Sequence, residues 1–350
     1  MSGRVRAIAS LVPATPAYLL RAGRTFINAI TDNGPGDLSL ACESAPGVAS
    51  GFDALAGAIF TSSRMVGAPP ANDEIRSCGV VHTSDIAKRV TSLQEGAGGA
   101  VSALADVPYD LCVLDPGLER QGLAILDSGS VSFPLGVPTY LWRGGTFAGA
   151  LADTGVGLVD WTWARGGIDT TQCVTILTPR AVMAASGLTT PHIIHTSDTA
   201  KRVAIYQEAA RGGSSAPADV DFDFVIIGPL PAQRSPLVEL HAICSVVSGV
   251  GPTFRRPITT REFAATGVTR TVAGDYDITL GPGFGVDALA SAIIANPRIA
   301  AAASQNRSIG VVHTSDNVKR VTCLQEGAAG AASALTDFDF DLAIFRRARR

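Results

Sequence analysis

The tetrapeptide His-Thr-Ser-Asp is written three times in this chain, as His82-Thr83-Ser84-Asp85, His195-Thr196-Ser197-Asp198 and His313-Thr314-Ser315-Asp316. Each copy is followed, two residues on, by Lys-Arg-Val, at Lys88, Lys201 and Lys319. The histidines stand 113 and 118 residues apart, the length of a small domain and far beyond the period of a solenoid repeat. The chain therefore reads as three tandem copies of one fold. The copies also serve as an internal comparison: what recurs is demanded by the shared fold, and what occurs once is local.

Read side by side, each copy opens on an apolar run: 5–12, 123–126 and 241–247. A glycine break between two alternating stretches follows, at Gly34-Pro35-Gly36, Gly155-Val156-Gly157 and Gly274, and such a break signals a hairpin. At the repeated stretch two structures compete. Ser84 or Asp85 could cap a helix carrying Ala87, Val90, Leu93 and Ala97 on one face, or the Ser-Asp pair could turn a hairpin. The hairpin is favoured, because Val203, Ile205 and Tyr206 suit a strand. Gly96, Gly98, Gly99, Gly212, Gly213 and Pro217 would also cut a helix short.

Each copy closes on a strand whose Tyr109/Phe222/Phe340, Leu111/Phe224/Leu342 and Val113/Ile226/Ile344 share one face by period two. Pro- and Gly-bearing links after the first two closing strands place the boundaries at 1–117, 118–231 and 232–350. Short strands punctuated by turns predict an all-β chain of three β-sandwich, jelly-roll-like domains.

Hydrophobic content of 46%, 17% charged residues and a mean hydropathy of +0.26 exclude a disordered polyelectrolyte. A net charge of −3 gives no general attraction to nucleic acid, although Arg346, Arg347, Arg349 and Arg350 form a short basic end. No apolar run approaches the roughly 20 residues that span a bilayer, so membrane insertion is not expected. Pro13 and Pro16 interrupt the first apolar stretch, which argues against a cleaved signal. The six cysteines lack metal-ligand spacing and read as reduced thiols. Cys112 and Cys323 match apolar or small residues in the other copies, as packed core thiols would.

The recurrent candidates for chemistry are His82, His195 and His313. Were the copies to pack about a pseudo-three-fold axis, three imidazoles could meet there as a Zn²⁺ or Ni²⁺ site. The competing explanation, which needs no metal, is turn chemistry, with Ser and Asp side chains bonding backbone amides. The Lys-Arg pairs would face Glu95, Glu208 and Glu326 or form a polar surface. The glycines near 96–99 lack the order of a dinucleotide fingerprint, and no nucleophile elbow or phosphate-binding glycine-lysine loop is present. No cofactor is expected.

The endings Asp219-Val220-Asp221-Phe222-Asp223-Phe224 and Asp337-Phe338-Asp339-Phe340-Asp341-Leu342, with Gly274-Asp275-Tyr276-Asp277 before the latter, resemble the β-sandwich modules of tailed-phage fibre, spike and head-decoration proteins. That resemblance implies a non-enzymatic virion component, assembled in a host cytoplasm, whose partners are other virion proteins or a host receptor. It also implies fused copies that imitate a homotrimer. A second resemblance is to condensing enzymes of the thiolase superfamily, near ketoacyl synthase III. Asp37-Leu38-Ser39-Leu40-Ala41-Cys42 is similar to the stretch ending in their nucleophile, and Trp161–Ile168 to a segment of their N-terminal region. It implies an acylated Cys42 activated by a histidine. The segments stand in the opposite order to that family's, and its His-Gln-Ala-Asn segment is absent. The sequence thus favours the structural role.

Overall fold

A computed structural model of the chain describes residues 4–12, 17–22, 27–45, 48–49, 58–65, 76–84, 87–96, 100–115, 123–144, 147–163, 173–180, 188–209, 213–229, 238–258, 265–280, 291–297, 307–315, 317–326 and 334–347. Among these residues the chain is built from strands, and the only helical segment is the 3-10 turn Pro134–Gly136.

The first repeat supplies β1 (Arg4–Val12), β2 (Ala17–Ala22), β3 (Ile27–Gly34), β4 (Asp37–Ala45), β5 (Val48–Ala49), β6 (Ala58–Met65), β7 (Arg76–Ser84), β8 (Ala87–Gly96), β9 (Ala100–Leu104) and β10 (Tyr109–Asp115). The second supplies β11 (Leu123–Ser132), β12 (Thr139–Arg143), β13 (Ala148–Gly155), β14 (Leu158–Trp163), β15 (Val174–Pro179), β16 (Thr189–Ser197), β17 (Ala200–Ala209), β18 (Gly213–Pro217) and β19 (Phe222–Pro229). The third supplies β20 (Val238–Val247), β21 (Thr253–Ile258), β22 (Ala265–Val272), β23 (Asp275–Leu280), β24 (Ser291–Pro297), β25 (Arg307–Ser315), β26 (Val318–Gln325), β27 (Ala334–Leu335) and β28 (Phe340–Arg347).

One strand order recurs. The opening and closing strands of each repeat pair antiparallel and take the central strand on the other side of the closing one: β2-β1-β10-β6, β12-β11-β19-β15 and β21-β20-β28-β24. A second sheet stacks over each of these: β3-β4-β8-β7, β13-β14-β17-β16 and β22-β23-β26-β25. The architecture is β-sandwich-like. Between its sheets Leu38, Leu40, Tyr109, Leu111 and Val113 fill the first core; Val159, Trp161, Phe222, Phe224 and Ile226 the second; Tyr276, Ile278, Phe340, Leu342 and Ile344 the third.

The repeated stretch is the hairpin expected from the sequence, β7–β8, β16–β17 and β25–β26. Its glycine-broken neighbour is fixed by one device used three times. Gly36, Gly157 and Gly274 have φ of +65°, +68° and +75°, the left-handed region that a side chain disfavours. Their amides donate to Asp106 (2.8 Å), Asp219 (2.7 Å) and Asp337 (2.7 Å), and their carbonyls accept from the amides of Ser92, Ile205 and Cys323. The recurrent Gly and the recurrent Asp are two halves of one anchor.

The repeats are joined by more than links. β16 pairs in parallel with β6 through Ile193↔Arg64 and Ile194↔Met65, which extends one sheet across the first two repeats to nine strands. The other face of the closing strands is also buried. Cys112, Val225 and Ala343, with Leu114, Ile227 and Phe345, meet Phe60, Ile176 and Ile294 of the central strands in a single apolar cluster drawn from all three repeats. These residues are equivalent by register, since Cys112 pairs with Phe60, Val225 with Ile176 and Ala343 with Ile294.

Candidate functional site

The histidine backbones pair with Lys88, Lys201 and Lys319, beside the bulge that opens each hairpin turn. The side chains of His82, His195 and His313 lie outside the described residues, as do Asp85 and Asp316. The turns do use side-chain capping: the amide of Thr199 donates to Ser197 Oγ (3.3 Å) and that of Val318 to Ser315 Oγ (3.1 Å). Asp198 is exposed.

Cys42 lies on β4 opposite Ile27, and its side chain too is outside the described residues. Cys78, Cys112, Cys173 and Cys323 are free and buried. Burial pushes the Cys78 thiol up to about 12 and raises those of Cys112 and Cys323 as well, which disfavours the reactive thiolate.

The Lys-Arg pairs divide between the two faces of their strand, as period two requires. Arg202 grips Asp160 with Nε (2.5 Å) and Nη2 (2.8 Å), and Arg320 grips Asp277 in the same way (2.8 and 2.9 Å); each Asp sits directly opposite its Arg on the neighbouring strand. Ser39 holds that place in the first repeat, so Arg89 reaches diagonally to Asp37 instead. The hydrogen bonds from Arg89 hold the Asp37 carboxyl below its usual range. The arginine partners are thus aspartates, and not the glutamates that were one of the two alternatives offered by the sequence. Lys201 and Lys319 turn inward: Lys201 Nζ donates to the Cys173 carbonyl (2.8 Å) and Lys319 Nζ to the Ser315 carbonyl (2.6 Å).

The richest constellation of polar side chains lies where the three central strands meet. Ser62, Thr178 and Asn296 occupy one position of β6, β15 and β24 and are all buried. Ser62 Oγ accepts from the Leu177 amide (3.0 Å), Thr178 Oγ1 from the Ala295 amide (3.0 Å), and Asn296 Oδ1 from Thr61 Oγ1 (3.0 Å). Each repeat therefore bonds to the previous one, and the third bond closes back on the first repeat. A parallel set runs through the closing strands. Asp110 Oδ2 accepts from the Thr175 amide (3.3 Å) and Asp223 Oδ2 from the equivalent Ile293 amide (2.8 Å). Asp341 is the third member by register and is buried.

Beside this ring opens a polar cleft to which all three repeats contribute. Thr61, Ser62 and Ser63 line it with Pro179, Asn296 and Pro297, and with Arg76, Thr189 and Arg307, the first residues of β7, β16 and β25. Across it Ser308 Oγ donates to the Thr189 carbonyl (2.5 Å), and the Arg307 amide donates to Ser77 Oγ (3.4 Å). His192, fully buried where the other repeats have Gly79 and Gly310, bonds through Nδ1 to Ser63 Oγ (2.5 Å) and seals the seam between the first two repeats. The predicted histidines stand six residues further along these same strands, roughly 20 Å from the cleft at a strand's rise.

Sequence reasoning missed the ring, the aspartates and the cleft arginines. The signal was present in the recurrence of Asp110/Asp223/Asp341 and of Arg76/Arg307 at equivalent positions. Comparison of the chain with protein-family models, with curated proteins and with solved structures found no match in any of the three.

Proposed function

We propose that this chain is a structural protein of a phage-like particle, in which three fused copies of one β-sandwich-like unit stand in for a homotrimer and work by assembly or attachment. The observation that carries this reading is the head-to-tail ring at the junction. Equivalent side chains of Ser62, Thr178 and Asn296 accept from the next repeat around the ring, from the amides of Leu177 and Ala295 and the hydroxyl of Thr61, as the subunits of a cyclic trimer would. Buried, satisfied hydrogen bonds of this kind fix a single arrangement of the three units.

The cleft end suits contact with a neighbour. The loops after β11 and β20 leave at the end where Pro179 and Pro297 sit, because Val131 and Val246 pair with Phe222 and Phe340, as do those prolines. These loops expose Leu135, Val137 and Val250. The condensing-enzyme resemblance implies helices on both sides of a central sheet, whereas the described chain is built of strands.

The reading is tested by banding particles from producing cells on a density gradient and quantifying the chain by mass spectrometry. A fixed stoichiometry to the major particle protein is expected, together with a monomeric mass by light scattering for the free chain. Recovery only in the soluble, particle-free fractions overturns it.

A further inference from the structure

We infer that the seam between the third and first repeats is an exchange surface whose partner is a second copy of this chain, so that two chains trade their third repeats as a swapped dimer. A linear polypeptide running through three units of a ring tethers two of the seams and leaves one held by contacts alone. Those contacts are of the kind made at the tethered seams. Asn296 Oδ1 accepts from Thr61 Oγ1 (3.0 Å), as Thr178 accepts from Ala295 and Ser62 from Leu177. Beside it the Arg307 amide donates to Ser77 Oγ (3.4 Å), and Ile294, Ala343 and Phe345 share one apolar cluster with Phe60, Cys112 and Leu114. Every copy of the chain carries these same surfaces. A third repeat therefore fits a neighbour's first and second repeats as it fits its own.

The first two repeats travel together. β16 pairs with β6 in one sheet, and His192 bonds Ser63 across their seam at 2.5 Å. The unit that changes hands is the third repeat, and the peptide that crosses between rings is 230–237, which joins β19 to β20. Exchange keeps every contact of the junction, so its equilibrium is set by mass action. A repeat tethered by a short link competes at an effective concentration on the order of 1 mM. The chain is accordingly a monomer at micromolar concentration and swaps when it refolds at concentrations approaching that value. The inference draws on the ring of three units and not on a particle role, so loss of that role would leave it standing.

The test uses the full chain with a site-specific protease sequence inserted within 230–237. Chains are unfolded in urea, refolded over a range of protein concentrations and separated by size with light-scattering detection. A dimer holding some tens of per cent of the chains is expected at about 0.3 mM, against a few per cent at about 0.03 mM. In a swapped dimer only the two crossing peptides join the rings, so cutting the inserted sequence is expected to convert the dimer to species of monomer mass. Cys112, in the shared apolar cluster, is expected to stay closed to iodoacetamide in the dimer as in the monomer. The chain without the insert is refolded in parallel, so that the concentration dependence still decides should the insert spoil folding. Monomer alone at every refolding concentration overturns the inference. So does a dimer that survives complete cleavage, or one in which Cys112 is open to labelling.

Discussion

The carboxylate of Asp223, on the closing strand of the second repeat, accepts the backbone hydrogen of Ile293, on the central strand of the third, at 2.8 Å. Ser130 donates to its other oxygen (2.5 Å), and Arg180 stands 3.5 Å away. Burial still dominates, and the Asp223 pKa is pushed up to about 6 against the opposing pull of Arg180, Ser130 and Ile293. The folded state therefore holds this proton where the unfolded chain, with its ordinary value near 3.8, releases it. Between roughly pH 4 and 6 the contribution of Asp223 to stability falls as pH rises. Asp223→Asn, which cannot ionise, is expected to gain about 3 kcal/mol relative to the parent between pH 4 and pH 7. Urea denaturation of both proteins across that range checks it, and a pH-independent difference refutes it.

The glycine anchors predict a severe and specific loss. A Cβ at Gly157 would stand 2.6 Å from the Ile205 carbonyl and 2.7 Å from the Ala218 amide, and at Gly274 it would meet the Thr336 amide at 2.6 Å. These are backbone atoms held by hydrogen bonds, Ala218 to the Ile205 carbonyl and Thr336 to the Cys323 carbonyl, and cannot swing aside. Gly157→Ala is expected to cost about 3 kcal/mol or more, from left-handed strain and the clash together. Gly155→Ala, at φ +143° but with only a flexible Leu158 methyl near, carries the backbone strain without the backbone clash and should cost less. Denaturant midpoints of the two variants give the ordering.

Cutting the ring at one corner should weaken the whole. Thr178→Val removes the acceptor for the Ala295 amide and leaves that buried donor unsatisfied, a loss of roughly 1–3 kcal/mol. Thr178→Ser, which keeps the oxygen, is expected to recover most of it. The measurement is chemical denaturation of the full chain; equal stability of the valine variant and the parent would remove the ring's energetic role.

Thiol labelling separates the two resemblances noted in the sequence. Native Cys78, Cys112, Cys173 and Cys323 should resist iodoacetamide because all four are buried, and burial raises the thiol pKa of Cys78, Cys112 and Cys323; they should react only on unfolding. Peptide mapping after native labelling reads this directly. Acyl-CoA-protected labelling at Cys42 would instead support the condensing-enzyme role.

Much of this fold is visible in the sequence, because three copies of one unit display their own constraints. The choice of hairpin over helix at Ser84 and Ser197 follows from the glycines and β-branched residues downstream, and the inner face of the closing strand follows from period two at Tyr109, Leu111 and Val113. Of the outer face at Asp110, Cys112 and Leu114, the sequence reading reached only Cys112, as a packed core thiol, and it is buried there. The run Leu111-Cys112-Val113-Leu114 is apolar on both sides, the mark of a strand covered twice, here by the junction. Partner choice was less legible. Arg89 and Arg202 select Asp37 and Asp160 through cross-strand register, and register is set by which strands meet. The parallel pairing of Ile193 with Arg64 joins residues from two repeats, and nothing local to either segment encodes it.

Fusion also alters how the corners of the ring can evolve. In an assembly of identical subunits one codon writes all three corners, and any change is imposed three times at once. Here a serine, a threonine and an asparagine already hold the same corner at 62, 178 and 296, and a histidine fills one seam where its counterparts are glycine. Each junction can drift, specialise or acquire a ligand while its two siblings keep the architecture standing.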